Sequence, residues 1–333
     1  MKNILFTCIV CLFIVDVVAQ TSKGYSENVL RAESLTKQKA YTEAAKAYSE
    51  AFAQNDGKAT NNDRYNAACV WALAGNKDSA FYHLIRVAEK GGYSNYNHIT
   101  IDTDLDILHS DPRWNTVLAT VKANKEKEEV NYNKPVVAIL DTVYKEDQSH
   151  RQGIVELIQK LGMQAPEVKE RLSQMAKADS INTIKVTKIL DEYGWLGRDK
   201  VGSTGSLTLF LVIQHAPYKV QKKYLPMLRA AVANKQASAS HLALLEDRVA
   251  LAEGKKQIYG SQVGQDQATG KSTLSPLEDP DNVDKRRAEV GLGTLATYLQ
   301  NFGITWDLES YKKQLAEDEK KAKESKVEKR PIN

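Results

Sequence analysis

The sequence predicts a mainly α-helical protein, built from two helical domains with a short β-hairpin in the second. Three observations lead to this fold class. Small and apolar residues recur at helical spacing through most of the chain. Strands and helices do not alternate, which excludes a parallel α/β sheet. One segment, residues 257–277, departs from the helical pattern because it combines β-forming residues with glycines.

The composition is typical of a soluble globular protein with two domains. The chain has 333 residues, and domains commonly take about 100 to 200. Its 46 basic and 42 acidic residues give a net charge of +4, which argues against an extended nucleic-acid surface or a polybasic membrane patch. The three cysteines, at positions 8, 11 and 69, cannot form a disulfide framework. No cluster of metal ligands is evident, so we expect no metal and no cofactor.

Residues 1–19 are predicted to be a signal peptide. They begin with Lys2, continue through an apolar stretch at 4–15 and end at Ala19 after further small or apolar residues. The apolar stretch is too short to span a bilayer securely. An alternative, lipid attachment at Cys11, is disfavoured because the preceding residues do not follow the usual pattern. We therefore expect a periplasmic or secreted protein with no transmembrane segment in the mature chain.

The first domain, residues 20–124, shows a repeat with an offset of 36 residues. The matching positions are Ala44, Tyr48 and Ala51 in the first copy and Ala80, Leu84 and Val87 in the second. From residue 25 to 124 this pattern resembles the tetratricopeptide repeat, in which small residues let two antiparallel helices approach closely. The resemblance implies a stack of helical hairpins whose groove takes a peptide or protein partner.

Several residues of this domain are better explained by packing than by chemistry. Cys69, Trp71 and Trp114 lie among apolar residues, and Cys69 is predicted to be a free, buried thiol. The pair Asp111-Pro112 predicts a helix start, since the aspartate can cap the helix and proline needs no donor there. The histidines at 83, 98 and 109 have no metal-ligand spacing and are interpreted as surface or groove residues.

Residues 125–134 are the predicted linker, either the frayed end of a helix or an exposed connector. The second domain, residues 135–306, reads mostly as helix up to residue 252. Its predicted helices are 136–145, 150–161, 167–192, 206–215, 219–233 and 239–252. A last helix is expected from 281 to about 300, followed by a charged tail at 307–333 whose end is expected to be a solvated, fraying helix.

Residues 257–277 are predicted to form the hairpin. Gly260 weakens a helix here, and the stretch 264–271 contains mainly turn-forming and polar residues. Tyr259 has an apolar ring and a hydroxyl, which suits the rim of a cleft. The segment is therefore either a lid over the end of the helix that carries His215, or an ordinary surface hairpin that connects two helices.

Three motifs make the second domain more specific. They are Gln214-His215-Ala216, Asp247-Arg248-Val249 and Tyr259-Gly260-Ser261-Gln262. Their succession over about 135–303 resembles a bacterial domain of unknown function, with Ser261 where that domain usually has threonine. The resemblance implies the identity of the domain and leaves its chemistry open.

The same motifs supply the candidate site residues. His215 could act as a general acid or base, with Asp247 orienting it. The residues expected to bind a polar or anionic ligand are Gln214, Arg248, Tyr259, Gln262, Arg286 and Arg287. Two carboxylates for glycoside hydrolysis, Asp147 and Asp247, are conceivable but no motif pairs them. The sequence contains neither a nucleophile elbow nor a phosphate-binding loop.

Three interpretations of this constellation remain open: a buried structural network, a binding pocket and a catalytic centre. The first function hypothesis is an exported interaction protein, whose repeat domain binds a peptide or protein and whose second domain binds a polar or anionic ligand. The alternative is an enzyme of the cell envelope, a hydrolase that uses His215 and Asp247.

Overall fold

The computed structural model describes residues 23–265 and 271–317, and it confirms the predicted fold class. Within these ranges the regular structure consists of helices and a two-stranded antiparallel sheet. Internal contacts divide the chain into two compact units, the first ending at Tyr132 and the second beginning at Asn133. The predicted signal peptide and the end of the charged tail lie outside the described residues.

The first unit is built from helical hairpins. Its helices are α1 (Lys23–Lys37), α2 (Tyr41–Ala53), α3 (Asn61–Leu73), α4 (Lys77–Glu89), α5 (Tyr96–Ile101) and α6 (Pro112–Glu128), with a 3-10 helix at Thr103–Leu108. Helix α1 packs against α2, α3 packs against α4, and α2 joins the two hairpins by packing against α3. Helices α2 and α4 begin at Tyr41 and Lys77, which are 36 residues apart.

The repeated positions form the interior of these hairpins. All six of them are buried, namely Ala44, Tyr48, Ala51, Ala80, Leu84 and Val87. Alanines at this spacing have little side chain to separate the helix axes, so the larger residues fill the space between hairpins. The predicted start of α6 is confirmed: the Asp111 carboxylate accepts a hydrogen bond of 3.0 Å from the Arg113 N–H, and Pro112 occupies the first turn.

Cys69 is a free and buried cysteine, as predicted. Burial raises the pKa of its thiol, and the nearby carboxylate of Asp102 raises it further. The thiolate is the reactive form of cysteine, so we expect this thiol to be unreactive in the folded chain. Trp114 is buried in the same core, whereas Trp71 is half-buried at the edge of both cores of the unit.

Up to residue 300, the second unit contains eight α-helices among the described residues. They are α7 (Lys134–Ser149), α8 (Ile154–Leu161), α9 (Pro166–Tyr193), α10 (Arg198–His215), α11 (Tyr218–Ala233), α12 (Ala239–Ala252), α13 (Val283–Glu289) and α14 (Leu295–Gln300). The first six agree with the predicted helices to within a few residues, except that α8 begins later and α10 begins earlier. Its core is built around α10, of which residues 208–214 are buried without interruption.

Helices α7 and α10 run parallel. At their amino-terminal ends the Asn133 N–H donates a hydrogen bond of 2.8 Å to the carbonyl of Lys200. At their carboxy-terminal ends His215 contacts Asp147. Helix α9 packs against both. Helix α10 is interrupted at Gly202, whose φ of +71° is a conformation that glycine adopts without steric cost. The parallel arrangement brings the ends of two helices together beside α9.

The predicted hairpin is confirmed. Strands β1 (Val263–Gln265) and β2 (Ser272–Leu274) are antiparallel, with Val263 opposite Leu274. Residues 308–317 are helical, and the solvated helix expected at the end of the tail lies outside the described residues. No helix in the described part of the chain is both long and apolar enough to cross a membrane.

The predicted helix from 281 to 300 is wrong in one respect, because it is broken in the middle. A 3-10 turn at Pro280–Asn282 leads into α13, and residues 290–294 separate α13 from α14. Gly291 takes a φ of +76° there, which ends α13. At the start of α14 the Asp284 carboxylate accepts a hydrogen bond of 2.7 Å from the Leu295 N–H, and the Thr294 hydroxyl caps the helix by accepting one of 3.3 Å from the Thr297 N–H.

Candidate functional site

The end of α10 presents a histidine paired with a buried carboxylate. His215 Nδ1 lies 3.0 Å from Asp147 Oδ1, and the side chains are 7% and 1% exposed. Because an ionised carboxylate can only accept, Nδ1 carries the proton of this hydrogen bond. The other ring nitrogen, Nε2, makes no hydrogen bond within the described residues. In the neutral imidazole Nε2 is an acceptor, so it can take a proton from a group placed against it.

Asp147 is also held from two other directions. The Gln148 side-chain amide donates a hydrogen bond of 2.7 Å to its second carboxylate oxygen. Arg151, four residues further on, lies 3.1 Å from the first oxygen. The same guanidinium donates two bonds, of 2.7 and 2.9 Å, to Asp179 on α9. Arg151 therefore bridges two carboxylates from two helices, and the position of Asp147 under His215 is fixed.

The electrostatics of Asp147 favour its ionised form. Burial alone would raise the pKa of this carboxyl, but the hydrogen bond and charge of His215, the charge of Arg151 and the Gln148 amide outweigh it. The pKa of Asp147 is consequently held below its usual value. An ionised partner orients the imidazole and stabilises the imidazolium that forms when Nε2 takes a proton.

This arrangement predicts a pH-dependent stability. A carboxyl whose pKa is lower in the folded state contributes stability that is fully present above the unfolded pKa of ~3.9. The contribution is lost as the pH falls from there through the lower, folded pKa. We expect the free energy of unfolding, measured by denaturant titration between pH 6 and pH 2.5, to fall more steeply in the wild type than in Asp147→Asn. Parallel curves for the two proteins would contradict this assignment.

Two groups of described side chains have metal-ligating atoms close together. One is Asp147, Asp179 and His215, and the other is Cys69, Asp102 and Asp104. In the first group the Arg151 guanidinium already lies against both carboxylates, so a metal ion would place its charge beside a cation. In the second group the Cys69 thiol donates its hydrogen bond to Asp102. We therefore interpret the first group as an ion-pair cluster and the second as a hydrogen-bonded one.

Asp247, the predicted partner of His215, lies in a different cluster. It is completely buried on α12. Its carboxylate accepts backbone N–H bonds from Ile258 (2.6 Å), Tyr259 (3.0 Å) and Ser261 (2.9 Å). Burial raises the pKa of Asp247, and these three hydrogen bonds oppose that rise. Asp147 takes the place beside His215 that the sequence assigned to Asp247, because the fold brings α7 rather than α12 to the end of α10.

The two predicted anion-binding arginines contact backbone carbonyls in this second cluster. Arg286 donates to the carbonyls of Ile258 (3.0 Å), Glu278 (2.7 Å) and Asp279 (2.8 Å). Arg287 is 2% exposed and donates to the carbonyls of Tyr259 (2.7 Å) and Gly293 (2.6 Å). Asp247 and the arginines therefore bind opposite sides of one segment, residues 258–261. This placement matches the structural-network interpretation more closely than an open anion site.

The remaining predicted ligand-binding residues are divided between these surroundings. Gln214 is buried, and its side-chain oxygen has no hydrogen-bond partner among the described residues. Arg248 follows Asp247 on α12 and is half-buried. Tyr259 is half-buried, whereas Gln262 is buried and donates to the Ser261 hydroxyl at 2.9 Å. Of the predicted site residues, Tyr259 and Asp247 are therefore in contact, through the Tyr259 N–H and the Asp247 carboxylate. His215 instead contacts Asp147. The lid over α10 stays a prediction.

The first unit contains a second candidate site, an open groove of about 480 Å³. Its lining comes from α2, α3, α4 and the turn after α2: Ser49, Phe52, Gly57, Arg64, Trp71, Asp78, Ser79, Tyr82 and His83. His83 packs edge-on against Phe52 and Tyr82, with ring centres 5.6 and 5.0 Å apart. The indole nitrogen of Trp71 and Nδ1 of His83 are buried and have no hydrogen-bond partner among the described residues.

These unpartnered atoms are unusual because buried polar groups are nearly always hydrogen-bonded. Burial, together with the charges of Arg64 and Arg86, lowers the pKa of His83 to about 4. The imidazole is therefore neutral near pH 7. A ligand that offers acceptors to Trp71 and His83 would satisfy groups that the chain itself leaves without a bond.

Sequence reasoning missed Asp147 as the partner of His215, and it treated Trp71 as a packing residue. Two spacings could have pointed to these residues. Asp147 and Arg151 are four residues apart, the spacing of an ion pair on one helix face. Arg64 and Trp71 are seven residues apart, so they share a face of α3 two turns apart. Neither spacing identifies a partner on another helix.

Comparison with known proteins gives one match. Residues 137–310 match the model of a family of unknown function, DUF6624. No curated protein and no solved structure matches the chain. The matched range contains His215, Asp147 and the whole Asp247 cluster, and it begins after the first unit ends.

Proposed function

The chain belongs to the DUF6624 family of proteins of unknown function, and we propose from its own residues that it is an interaction protein whose first unit binds a peptide or a peptide segment of a partner protein. The observation that carries this proposal is the groove across α2, α3 and α4. It combines exposed aromatic surface with the two unpartnered atoms of Trp71 and His83. Aromatic rings with polar tips are suited to binding because they contribute large contact area and directed hydrogen bonds together.

The hairpin architecture supports the same proposal. We propose that the first unit is tetratricopeptide-like, since α2 and α4 start 36 residues apart and the equivalent small residues of both are buried. In stacked hairpins of this kind the helices that line a concave face keep their outward side chains available to a ligand. Tyr82, which lines the groove from α4, is 55% exposed and so is available to a ligand.

Binding can be tested with an array of random nonapeptides and the full chain. We expect a subset of peptides to bind and to change the fluorescence of Trp71, which lines the groove. The variant Tyr82→Ala should weaken this binding by about 10-fold or more, as for an aromatic contact residue. Tyr193→Ala is the matched control, because Tyr193 is 46% exposed on a helix of the second unit. Absence of any bound peptide, or equal losses in both variants, would contradict the proposal.

A second candidate function belongs to the second unit, and the His215–Asp147 pair favours it. We propose that His215 transfers protons in a hydrolytic reaction, with Asp147 in the orienting role first assigned to Asp247. The support is the Nδ1 contact of 3.0 Å, which leaves Nε2 without a partner in the described residues. Arg151 and Gln148 hold the carboxylate in place, as a positioned acid-base pair requires.

The enzymatic proposal is tested with chromogenic esters, phosphate esters and glycosides. We expect turnover of at least one class and its loss in His215→Gln, with Asp147→Asn lowering the rate by about 100-fold or more, as removal of an orienting carboxylate does elsewhere. Circular dichroism should show that both variants stay folded. Turnover that survives in His215→Gln, or no turnover of any class, would count against this function.

We also propose that the protein is exported to the periplasm or secreted. The support is the leader-like pattern of residues 1–19. Amino-terminal sequencing of the protein recovered from the producing cell should find Gln20 as the first residue. An intact amino terminus in the cytoplasmic fraction would contradict export.

A further inference from the structure

Arg64, in the groove of the first unit, is a buried cation with few partners. The residue is 8% exposed. Its guanidinium lies 5.1 Å from the centre of the Phe52 ring and donates a hydrogen bond of 2.6 Å to the carbonyl of Gly57. Within the described residues no carboxylate pairs with it. A buried charge is costly unless an opposite charge or several hydrogen bonds compensate it.

A second cation, Arg86, lies close enough to Arg64 to add to the positive electrostatic potential around it. Burial lowers the pKa of Arg64, and the charge of Arg86 lowers it further. Arg86 stacks over the exposed ring of Tyr82, with 5.3 Å between the guanidinium carbon and the ring centre. Arg64 therefore lines the groove, Arg86 lies beside it over the ring of the lining residue Tyr82, and His83 between the aromatic rings is neutral. Such a surface attracts anions and concentrates them.

The groove lining does include one acidic residue, Asp78, but that residue is already paired. Arg113 donates a hydrogen bond of 2.8 Å to its carboxylate. Arg113 also pairs with Asp111 at 2.8 Å, so this ion-pair group is complete without Arg64. Asp78 therefore does not supply the counter-charge of the buried Arg64 guanidinium.

The free hydrogen-bonding groups of the groove are matched to one type of acceptor. The indole N–H of Trp71 can only donate, and the neutral His83 ring donates from Nδ1 in one of its tautomers. A guanidinium donates in a planar fork that fits the two oxygens of a carboxylate. The ring N–H groups of Trp71 and His83 have no partners in the described residues, and the nearby Arg64 guanidinium has no counter-charge there. An anionic ligand with more than one oxygen would satisfy both.

We propose that the groove binds an acidic peptide segment, with a carboxylate of the peptide seated against Arg64 and the Trp71 and His83 rings. This inference rests on the proposed peptide-binding function and names the chemistry of its ligand. The carboxylate compensates the buried charge of Arg64, while Arg86 attracts further acidic residues along the rim. It belongs either to an aspartate or glutamate side chain or to the carboxy terminus of the peptide.

The random nonapeptide array separates this inference from the proposed function. We expect bound peptides to be enriched in aspartate and glutamate, and replacement of those residues by asparagine and glutamine to abolish binding. If no peptide binds, the proposed function itself fails. If peptides bind without acidic enrichment and tolerate the replacement, peptide binding stands and this inference is overturned. Versions with a free or an amidated carboxy terminus then show which kind of carboxylate is recognised.

Variants of the protein provide a second arm, measured with the strongest acidic nonapeptide from the array. Arg64→Met should weaken its binding by about 10-fold or more, as loss of a charge-assisted hydrogen bond does, and Arg64→Lys should restore part of it.

Arg86→Gln, an exposed position, keeps the test valid if Arg64→Met does not fold, and should reduce both the affinity and its salt dependence. Arg31→Gln is the control, because Arg31 is an exposed arginine of the same unit that does not line the groove. Equal affinity in wild type and Arg86→Gln, together with unchanged binding to Arg64→Met where it folds, would overturn the proposal.

Discussion

Replacement of Asp247 by alanine is expected to lower the free energy of unfolding of the second unit by about 3–5 kcal/mol. The carboxylate accepts N–H bonds from Ile258, Tyr259 and Ser261 in a completely buried position. Without it these donors lose their acceptor, and each buried unsatisfied donor costs about 1–3 kcal/mol. The loss should be measured by denaturant unfolding monitored by circular dichroism.

The local consequence of Asp247→Ala is as informative as the global one. Amide hydrogen exchange should show loss of protection at residues 258–261, because the carboxylate is the acceptor for that stretch. Asp247→Asn keeps one carbonyl oxygen and should show a smaller loss. Asp281→Ala, which removes an exposed carboxylate from the surface, is the control and should change stability by less than about 0.5 kcal/mol. Similar values for Asp247→Ala and Asp281→Ala would refute the anchoring role.

Replacement of Arg151 by methionine is expected to have the second largest effect, a loss of about 3 kcal/mol or more. Arg151 is 15% exposed and pairs with Asp147 and Asp179, which are 1% and 23% exposed. Methionine fills part of the space but leaves two carboxylates without their shared cation. We expect the pKa of Asp147 to rise as a result, so that acid unfolding begins at a higher pH than in the wild type.

A second substitution shows whether the loss comes from uncompensated charge. In the double variant Arg151→Met with Asp179→Asn, one of the two carboxylates is neutral, so part of the stability should return. Arg31→Met is the control, since Arg31 and Glu50 form an exposed ion pair that contributes at most about 1 kcal/mol. A loss in Arg151→Met no larger than in Arg31→Met would mean that the bridge between α7 and α9 does not stabilise the fold.

The helices could be predicted because their signals are local. Spacing of apolar residues, proline at helix starts and glycine at ends gave most boundaries within a few residues, and the pair Asp111-Pro112 marked the start of α6. The break between α13 and α14 was missed for a reason that is also physical. Gly291 takes a left-handed conformation, and Asp284 from α13 accepts the hydrogen bond of the Leu295 N–H in the first turn of α14. The Thr294 cap of α14 is local, whereas a contact from a residue eleven positions away along the chain has no local pattern.

The hairpin segment shows how a correct local prediction can leave the role of a residue open. β-forming and turn-forming residues predicted a hairpin within 257–277, and its strands lie at 263–265 and 272–274. This pattern could not show that Gly260 is required by its neighbours. The φ of Gly260 is +68°, and a Cβ there would lie 2.9 Å from a methyl carbon of Leu295. The approach of α14, far along the chain, decides which residue can occupy that turn.

The sequence by itself determined the helical class, the 36-residue repeat and the identity of His215 as a residue of interest, because periodicity, composition and motifs are properties of neighbouring residues. Only the tertiary structure decided which side chains meet. Helix α7 runs parallel to α10, so Asp147 rather than Asp247 lies under His215, and among the described residues three helices leave Arg64 buried without a carboxylate partner. Asp147 and His215 are 68 residues apart in the chain, so their contact depends on how the helices pack. No pattern of nearby residues encodes that packing.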